Sequence, residues 1–357
     1  MQINGNRVLT LWDFYKGRDS KGDFVHKVVD LCAETNDFSK YAPIIQANHD
    51  KVLETTIRTS DAMPDWTAYY KPVKAAKGSK SMFKVTAATL ASKIEVDARL
   101  YKNSPDKDAV ILDETKSNIR GFNKKMGSQF IYGLLEDDPL GFNGLFKHYT
   151  EFGGVTHTDT EDPAHYVINA HKSGESKAAL RSIALIGFGT DATTLFHPQH
   201  SESAGIEVGD MKDVDIDSDE GSYTVKRRYL YWNLGLAVRN FKTNGRLCNI
   251  PIDALLTQAE TGGADFRERA KVLINKLRLL RDRVEESGVK QVFCMDKPTW
   301  EVVAQCFSAI TMENAVTMEN VEQDKYGNSG KQRMLWGIPV IRQDAMNVNE
   351  EEVRQKA

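Results

Sequence analysis

The sequence predicts an α+β fold, in which strands and helices occupy separate stretches of the chain. Three observations predict it. No proline lies between Pro105 and Pro139, β-branched and turn-rich stretches flank that interval, and helix and strand patterns alternate again after residue 250. The 357 residues, 41% of them hydrophobic, are enough for a sizeable core and for two or three domains.

The amino-terminal third predicts an arm followed by a long hairpin. Residues 1–53 are polar with short apolar bursts, which is typical of an arm without a core of its own. Residues 54–98 are rich in Thr, Ser, Lys and β-branched side chains and predict an extended β-hairpin with its tip at Lys77-Gly78-Ser79-Lys80. The lysines around this tip suit a phosphate group, but no P-loop glycine spacing accompanies them, so solvated lysines are the simpler interpretation.

A long helix is predicted from Ser104 to about Gly133. Ser104 is a good N-cap and Pro105 suits the first helical position. At about 1.5 Å per residue the helix is roughly 40 Å long, and an ordinary core helix kinked at Gly121 or Gly127 is the alternative. Its apolar stripe is Ile111, Ile119, Phe122, Met126 and Phe130, and its polar face carries Glu114, Lys116, Arg120, Lys124 and Lys125.

The middle of the chain predicts strands. Ser182–Ile186 is an apolar run bounded by Ala179 and Gly187, which is typical of a buried strand. A second hairpin follows, with an acidic outgoing strand ending in Asp213–Asp217, a turn near Gly221 and a basic, aromatic return over 223–232. The opposite charges of the two strands predict favourable cross-strand contacts.

The last third predicts a layered α/β region. Phe266, Ala270, Leu273, Leu277, Leu280 and Val284 form one stripe of a helix from Asp265 to Ser287, which Gly288 ends. A strand at Val292–Cys294, a helix opening at Lys297 and a strand at Trp336–Ile341 follow.

Composition excludes several classes of protein. A net charge of −3 argues against a nucleic-acid binder that works by overall positive charge. No run of about 18 apolar residues and no apolar signal core occur, so the sequence predicts neither a membrane span nor secretion. It predicts that the chain folds in a cytoplasm. Cys32, Cys248, Cys294 and Cys306 lack metal or redox spacing, which predicts reduced, mostly buried thiols and no cofactor.

A histidine-rich stretch leaves an enzymatic alternative open. Six of the eight histidines lie between residues 148 and 200, near Asp159, Glu161 and Asp162. A metal-dependent hydrolase would need such a neighbourhood, but no HExxH pattern is present. The six are His148, His157, His165, His171, His197 and His200.

Four passages between residues 129 and 345 carry a family resemblance. They are Gln129–Gly133 with Pro139–Leu145, Ala179–Gly189 with Phe196–Pro198, Trp232–Ile250, and Trp336–Val340 with Asp344-Ala345. These passages are similar to the coat proteins of short-tailed phages of the epsilon-15 kind. Two positions depart from the family pattern: Leu134 replaces an asparagine and Lys242 replaces an arginine. The chain therefore resembles a tailed-phage major capsid protein.

The resemblance implies a Hong Kong 97 type fold with five segments. These are an N-terminal arm, an extended β-loop called the E-loop, a spine helix in a peripheral domain, the β-hairpins between the peripheral and axial domains, and an axial α/β domain. Their expected ranges are 1–53, 54–98, 99–178, 179–250 and 251–357.

The resemblance also implies a function without catalysis. Many copies would form pentamers and hexamers of an icosahedral virion shell around double-stranded DNA, which the inner face would contact without sequence preference. Scaffolding, portal and decoration proteins are implied as further partners, assembly is implied in the host cytoplasm, and no membrane is involved. A cellular nanocompartment shell with the same fold is an alternative. The predicted intersubunit contacts are Lys74, Lys77 and Lys80 at the loop tip, with Arg58 and Trp66 at its base.

Overall fold

A large mixed sheet dominates the fold. The computed structural model describes residues 36–103, 107–153, 161–201, 205–218, 221–286, 288–310, 316–320 and 331–356. The strands within these residues are β1 (Ile44–Gln46), β2 (Val52–Ser60), β3 (Ser79–Thr86), β4 (Ala88–Asp97), β5 (Glu151–Phe152), β6 (Val167–Asn169), β7 (Leu180–Phe188), β8 (Thr193–His197), β9 (Ile206–Val208), β10 (Lys212–Ser218), β11 (Gly221–Val238), β12 (Gly245–Pro251), β13 (Lys290–Met295), β14 (Val316–Asn320), β15 (Lys331–Leu335), β16 (Ile338–Arg342) and β17 (Arg354–Gln355). The α-helices there are α1 (Ala98–Asn103), α2 (Lys107–Tyr132), α3 (Ile252–Thr261), α4 (Ala264–Arg283) and α5 (Lys297–Ala309).

Thirteen of the described strands form one continuous sheet, and its longest path is β10-β11-β8-β7-β13-β16-β15-β14. Strands β4 and β9 join it at β11, β1 joins at β8, β12 joins at β7 and β6 joins at β12. Two pairs stay separate, β2 with β3 and β5 with β17. The combination of one mixed sheet with segregated helices confirms the predicted α+β class.

The main core lies where β7, β12 and β13 meet helices α3, α4 and α5. The side chains of Ile183 and Ile186 in β7 are fully buried, which confirms the buried strand predicted from its apolar run. Helix α4 buries the predicted stripe, including Phe266, Leu273 and Leu280. Since each large apolar side chain taken out of water contributes about 1.5 to 3 kcal/mol, this contiguous cluster is the principal source of stability.

Helix α4 ends earlier than the sequence predicts. Its last residue is Arg283, and Val284 already has an extended backbone, with φ −76° and ψ 134°. The next amide, of Glu285, donates to the carbonyl oxygen of Lys242 at 3.0 Å. A tertiary hydrogen bond thus replaces the last turn, and Gly288, with φ +73°, lies in the following loop rather than at the helix end.

Two long elements, α2 and β11, contribute side chains both to the main core and to a small outer cluster. Phe122 of α2 packs with Ile94 and Leu230 in a small outer cluster, whereas Met126 and Phe130, one and two turns further on, belong to the main core. Strand β11 pairs with β4 over residues 225–234 and with β8 over residues 235–238. The outer part of the sheet, formed by β4, β9 and β10 with the first part of β11 and called the outer sheet below, is therefore joined to the main core along both a helix and a strand.

The buried stripe of α2 differs from the prediction at one position. Ile111, Phe122, Met126 and Phe130 are buried as predicted, but the side chain of Ile119 is 38% exposed. Its neighbour Asn118 contacts β4 instead, where Ser92 Oγ donates to Asn118 Oδ1 at 2.6 Å. The predicted cap, Ser104 with Pro105, lies outside the described residues.

Part of the predicted arm is integral to the fold. Strand β1 pairs in parallel with β8, and the buried ring of Phe38 stacks on Phe130 with centroids 4.3 Å apart. Residues 36–53 therefore have a core on their own chain, contrary to the prediction from their polar composition. Residues 1–35 lie outside the described residues.

The charged hairpin has the predicted pairing. Strands β10 and β11 are antiparallel with Asp213 opposite Lys226, and Lys226 Nζ lies 2.8 Å from Asp213 Oδ1. The predicted turn at residues 219–220 lies outside the described residues.

Strands β7 and β12 share one sheet with β13 and β16, so the sheet crosses the expected boundary at residue 250, and the five-segment division stays a prediction.

A buried carboxylate fastens the segment after β16. Glu350 accepts hydrogen bonds from Tyr132 Oη at 2.6 Å, from Arg246 Nη2 at 2.8 Å and from Ser182 Oγ. Arg246 also lies over the ring of Phe146, 3.9 Å from its centroid. The side chains of Arg246 and Glu350 are only 8% and 6% exposed. This network joins α2, β7 and β12 to the end of the chain.

Candidate interaction surface

The β2–β3 hairpin is anchored at one end only. Leu53 is buried in a small cluster with Ala87 and Phe196, and Phe83 and Val85 pack against it. From this base the two strands run antiparallel as a separate two-stranded sheet. A two-stranded hairpin is marginally stable in water by itself, so the outer part of this hairpin needs a further surface to pack on.

Hydroxyl groups close the neck of the hairpin. Ser79 Oγ lies 2.7 Å from Thr59 Oγ1 and 2.8 Å from Ser60 Oγ. A Cβ added to Gly78 would lie 2.6 Å from the carbonyl oxygen of Ser60, so this position requires glycine. The true loop is therefore residues 61–78, and β3 already begins at Ser79.

This neck corrects two of the predicted positions. Lys80, expected at the tip, lies in β3 directly opposite Arg58 of β2. Trp66, expected at the base, lies in the loop beyond the neck. Lys74 and Lys77 lie in the loop as predicted, although the loop is longer and its closing residues are those that the sequence placed at its tip.

The loop carries exposed aromatic and aliphatic side chains, of which the sequence prediction named only Trp66. Trp66, Tyr69 and Tyr70 have exposures of 104%, 97% and 107%, as in a free peptide. Met63 and Val73 of the loop are 81% and 79% exposed, and Met82 of β3 is 72% exposed. The sequence signal for this exposed group was the cluster of aromatic residues between Pro64 and Pro72, because the two prolines argue against a strand that would bury it. Several large apolar side chains exposed in one loop are typical of an interaction site.

The charges around the loop are mostly positive. Lys74 Nζ lies 3.4 Å from Asp65 Oδ2, and Arg58 Nη1 lies 3.5 Å from Asp61 Oδ1. Among the described residues, Lys77 and Lys80 contact no carboxylate. Arg58 and Lys80 face each other across the strands, which is unfavourable for like charges. An acidic partner surface would relieve this repulsion.

One ion pair at the base fixes the hairpin's register. Lys84 Nζ lies 2.6 Å from Glu54 Oε1, and the two residues are direct cross-strand partners. The hydrogen bond from Lys84 holds the pKa of the Glu54 carboxyl below its usual value. The base is thus internally satisfied, in contrast to the loop.

No metal centre accompanies this surface in the part of the chain that the structure describes. The histidines there are apart from one another, with His171 Nε2 3.2 Å from Glu175 O and His197 Nδ1 3.0 Å from Pro198 O. No three His, Cys, Asp or Glu side chains among the described residues are placed to hold a metal ion, and His157 lies outside them. The hydrolase alternative therefore lacks structural support.

The described thiols are buried. Cys248, Cys294 and Cys306 are free and buried, as predicted, and burial raises the pKa of Cys248 and of Cys306 to about 12. Cys32 lies outside the described residues. Among the helices that are described, none is long and apolar enough to cross a membrane.

Comparisons with known proteins give one family and one fold. The family model described as major capsid protein GP7 matches residues 19–354. A chain in a near-atomic cryo-EM structure of bacteriophage epsilon15 is 24% identical, with 100% of each chain covered and a TM-score of 0.70. No curated protein matches the chain.

Weaker likenesses involve a phage capsid and a compartment shell. The capsid of Myoviridae phage XM1 is 10% identical, covering 63% of this chain and 95% of its own, with a TM-score of 0.40. An encapsulin complex, holo-SrpI of Synechococcus elongatus, is 8% identical over 63% and 91% of the two chains, with a TM-score of 0.42.

Proposed function

Because the chain belongs to the GP7 family of major capsid proteins, we propose that its copies form pentamers and hexamers of an icosahedral shell in which the β2–β3 hairpin of one copy lies on the next. The full-length likeness to the epsilon15 chain confirms the Hong Kong 97 type of capsid fold. The protein is thus a component of a phage virion. The family match supports a capsid over a cargo compartment or a metal hydrolase.

The observation that carries the proposed contact is the exposed loop at residues 61–78. Its aromatic side chains have no packing partner among the residues that the structure describes, although such side chains bury about 150 to 250 Å² each when they are covered. Large aromatics also dominate binding energy at protein interfaces. A copy of the same chain is the partner because a capsid protein is surrounded by copies of itself, and symmetry repeats each contact many times.

The predicted contact residues fall into two groups in this proposal. Lys74 forms an ion pair with Asp65, the residue next to Trp66 in the sequence. Trp66 and Lys74 both belong to the loop that covers the neighbour. Arg58, Lys77 and Lys80 surround the neck, where their positive charge suits an acidic surface of the neighbour. Single rim charges contribute little, so the aromatic residues carry most of the contact.

Further partners follow from the same function. We propose double-stranded DNA as the shell's content, contacted without sequence preference, and assembly in the host cytoplasm with scaffolding, portal and decoration proteins. We propose no catalytic role for the chain.

The first test is the W66S/Y69S/Y70S variant. We expect the wild-type chain, expressed alone, to give closed shells, sheets or rings of five and six subunits, and the variant to stay a subunit of about 40 kDa. Sedimentation measures the size and electron microscopy shows the form.

The control is V272S/L279S, which removes two exposed apolar side chains from α4. It should assemble like the wild type. Normal shells from the triple loop variant would overturn the hairpin contact, and a wild-type chain that stays monomeric at high concentration would overturn self-assembly of the chain alone.

A further inference from the structure

The last two thirds of α2 have an unusual charge distribution. From Thr115 to Tyr132 the helix contains four basic residues and no acidic one, in a chain with a net charge of −3. Lys116, Arg120 and Lys124 recur every four residues and are all exposed. Residues at this spacing lie along one face of a helix. The face opposite to Phe122 and Met126 is therefore a row of positive charge.

We propose that this row, Lys116, Arg120 and Lys124 on α2, is a surface of the subunit that binds the phosphate backbone of packaged duplex DNA. The inference rests on the proposed function, in which the shell encloses double-stranded DNA, and names the contact surface. Lys125 lies beside the row, 3.9 Å from Asp138, and is not part of it.

The helix dipole does not account for the row. Basic side chains favour the last turn of a helix, where they meet the negative end of its dipole, and the effect falls off within that turn. The last turn of α2, which ends at Tyr132, contains no basic residue. The row instead begins near the middle of the helix, where the dipole gives no such benefit.

The geometry of the row suits a duplex of any sequence. Lys116 and Lys124 are separated by eight residues, or about 12 Å along the helix axis at about 1.5 Å per residue. DNA carries one phosphate charge per about 1.7 Å of its axis, so three cations spread over this length meet phosphates in any register. Long, exposed lysine and arginine side chains make such contacts without reading bases.

The amino-terminal segment is a poorer occupant for this face. Asn36, the first described residue after this segment, lies beside α2, because Asn36 Nδ2 donates to Asn123 O at 3.3 Å. However, residues 1–35 contain five acidic and five basic side chains and have no net charge. Charge complementarity therefore favours a polyanion over this segment.

The test compares two sets of neutral substitutions in the full chain. K116Q/R120Q/K124Q removes the row, and R267Q/K271Q/R278Q removes three exposed cations from α4 as a matched control. Glutamine keeps helix propensity close to that of lysine and arginine. Binding of a random-sequence DNA duplex to purified subunits is measured at several salt concentrations.

We expect the slope of log K against log salt concentration to fall by roughly 2.7 in the row variant, about 0.9 for each lost phosphate contact, and to be unchanged in the control. The single variant K116Q should lower the slope by about 0.9. Equal slopes for the wild type, K116Q and the row variant would overturn the inference.

Sedimentation of the same samples separates this inference from the proposed function. Shells from the row variant together with a reduced slope support both. Loss of shells with an unchanged slope would identify the row as a subunit contact and overturn the DNA contact. A wild-type chain that forms no shells tells against the proposed self-assembly, while the slopes still decide whether the row binds DNA.

Discussion

At the scale of single residues, one amide side chain links three segments of the fold. Asn36 Nδ2 donates to the carbonyl of Asn123, and Asn36 Oδ1 accepts from the amide of Ala345 at 3.1 Å. Gly127 lies against the same side chain, where an added Cβ would be 2.6 Å from Asn36 Cγ. Because Asn36 is buried and held at both ends, it has no space into which to retreat.

Substitution of Gly127 by alanine should therefore destabilise the subunit. We expect G127A to lower the free energy of unfolding by about 1 to 3 kcal/mol, the usual cost of overpacking. The matched control is G121A on the same helix, because an added Cβ there meets nothing within 4 Å. That variant should gain up to about 1 kcal/mol from helix propensity. The free energy of unfolding of each variant is measured with urea. Changes of the same sign in G127A and G121A would contradict this prediction.

The buried Glu350 network supports a second prediction at this scale. E350Q leaves the Arg246 guanidinium buried without its carboxylate, and removing one partner of a buried pair costs about 3 to 5 kcal/mol. The matched control is E352Q, which breaks the exposed pair between Glu352 and Lys177, 2.6 Å apart, and should change stability little. Equal unfolding midpoints for E350Q and E352Q would show that burial of the pair has no energetic consequence.

At the scale of elements, local patterns predicted those structures whose partners are near in sequence. The stripe of α4 and the β10–β11 hairpin both follow from spacing and charge within some twenty residues. The parallel pairing of β1 with β8 joins residues about 150 positions apart, and no local pattern reports such a contact. For the same reason residues 36–53 looked like an arm.

The interaction surface was predictable only in part. The lysine-rich composition indicated the hairpin, but the position of its neck depends on Gly78 and three hydroxyl groups that meet only in the fold. Trp66 was predicted as a contact residue at the base of the hairpin, and Tyr69 and Tyr70 were not predicted as contact residues. Their exposure follows from the long loop, which carries them away from every apolar cluster that the structure describes.

At the scale of the whole molecule, positive and negative charges are concentrated on different elements. The loop at 61–78 and the row on α2 are basic, whereas β10 presents Asp213, Asp215 and Asp217 to solvent. A net charge near zero therefore conceals strong local fields. Such fields steer association between copies and depend strongly on salt.

Acid should weaken the folded subunit. The pKa of Glu54 and that of Asp162 are held below their usual values, in each case chiefly by a hydrogen bond from a lysine. A carboxyl with a lowered pKa in the folded state contributes stability above its unfolded pKa, and this is lost as pH falls through the folded pKa. We expect the urea midpoint to be level between about pH 7 and 5.5 and to fall below about pH 4.5.

The check is to repeat the pH series with E54Q/D162N. Its urea midpoint should lie below that of the wild type near pH 7 and approach it in acid, because both carboxylates are then protonated in the wild type as well. A constant difference in urea midpoint between the two proteins at every pH would contradict a contribution from these carboxyl groups.

The double connection through α2 and β11 decides how the outer sheet can move. A lobe joined by one flexible linker swings as a rigid body, with its dihedral change confined to a few residues. Here a helix and a strand cross the junction together, and both are hydrogen-bonded along their length. The outer sheet can therefore be displaced only by flexure, distributed over many residues. When the edge of the subunit is displaced, we therefore expect α2 and β11 to bend gradually along their length, and no rotation about a single hinge.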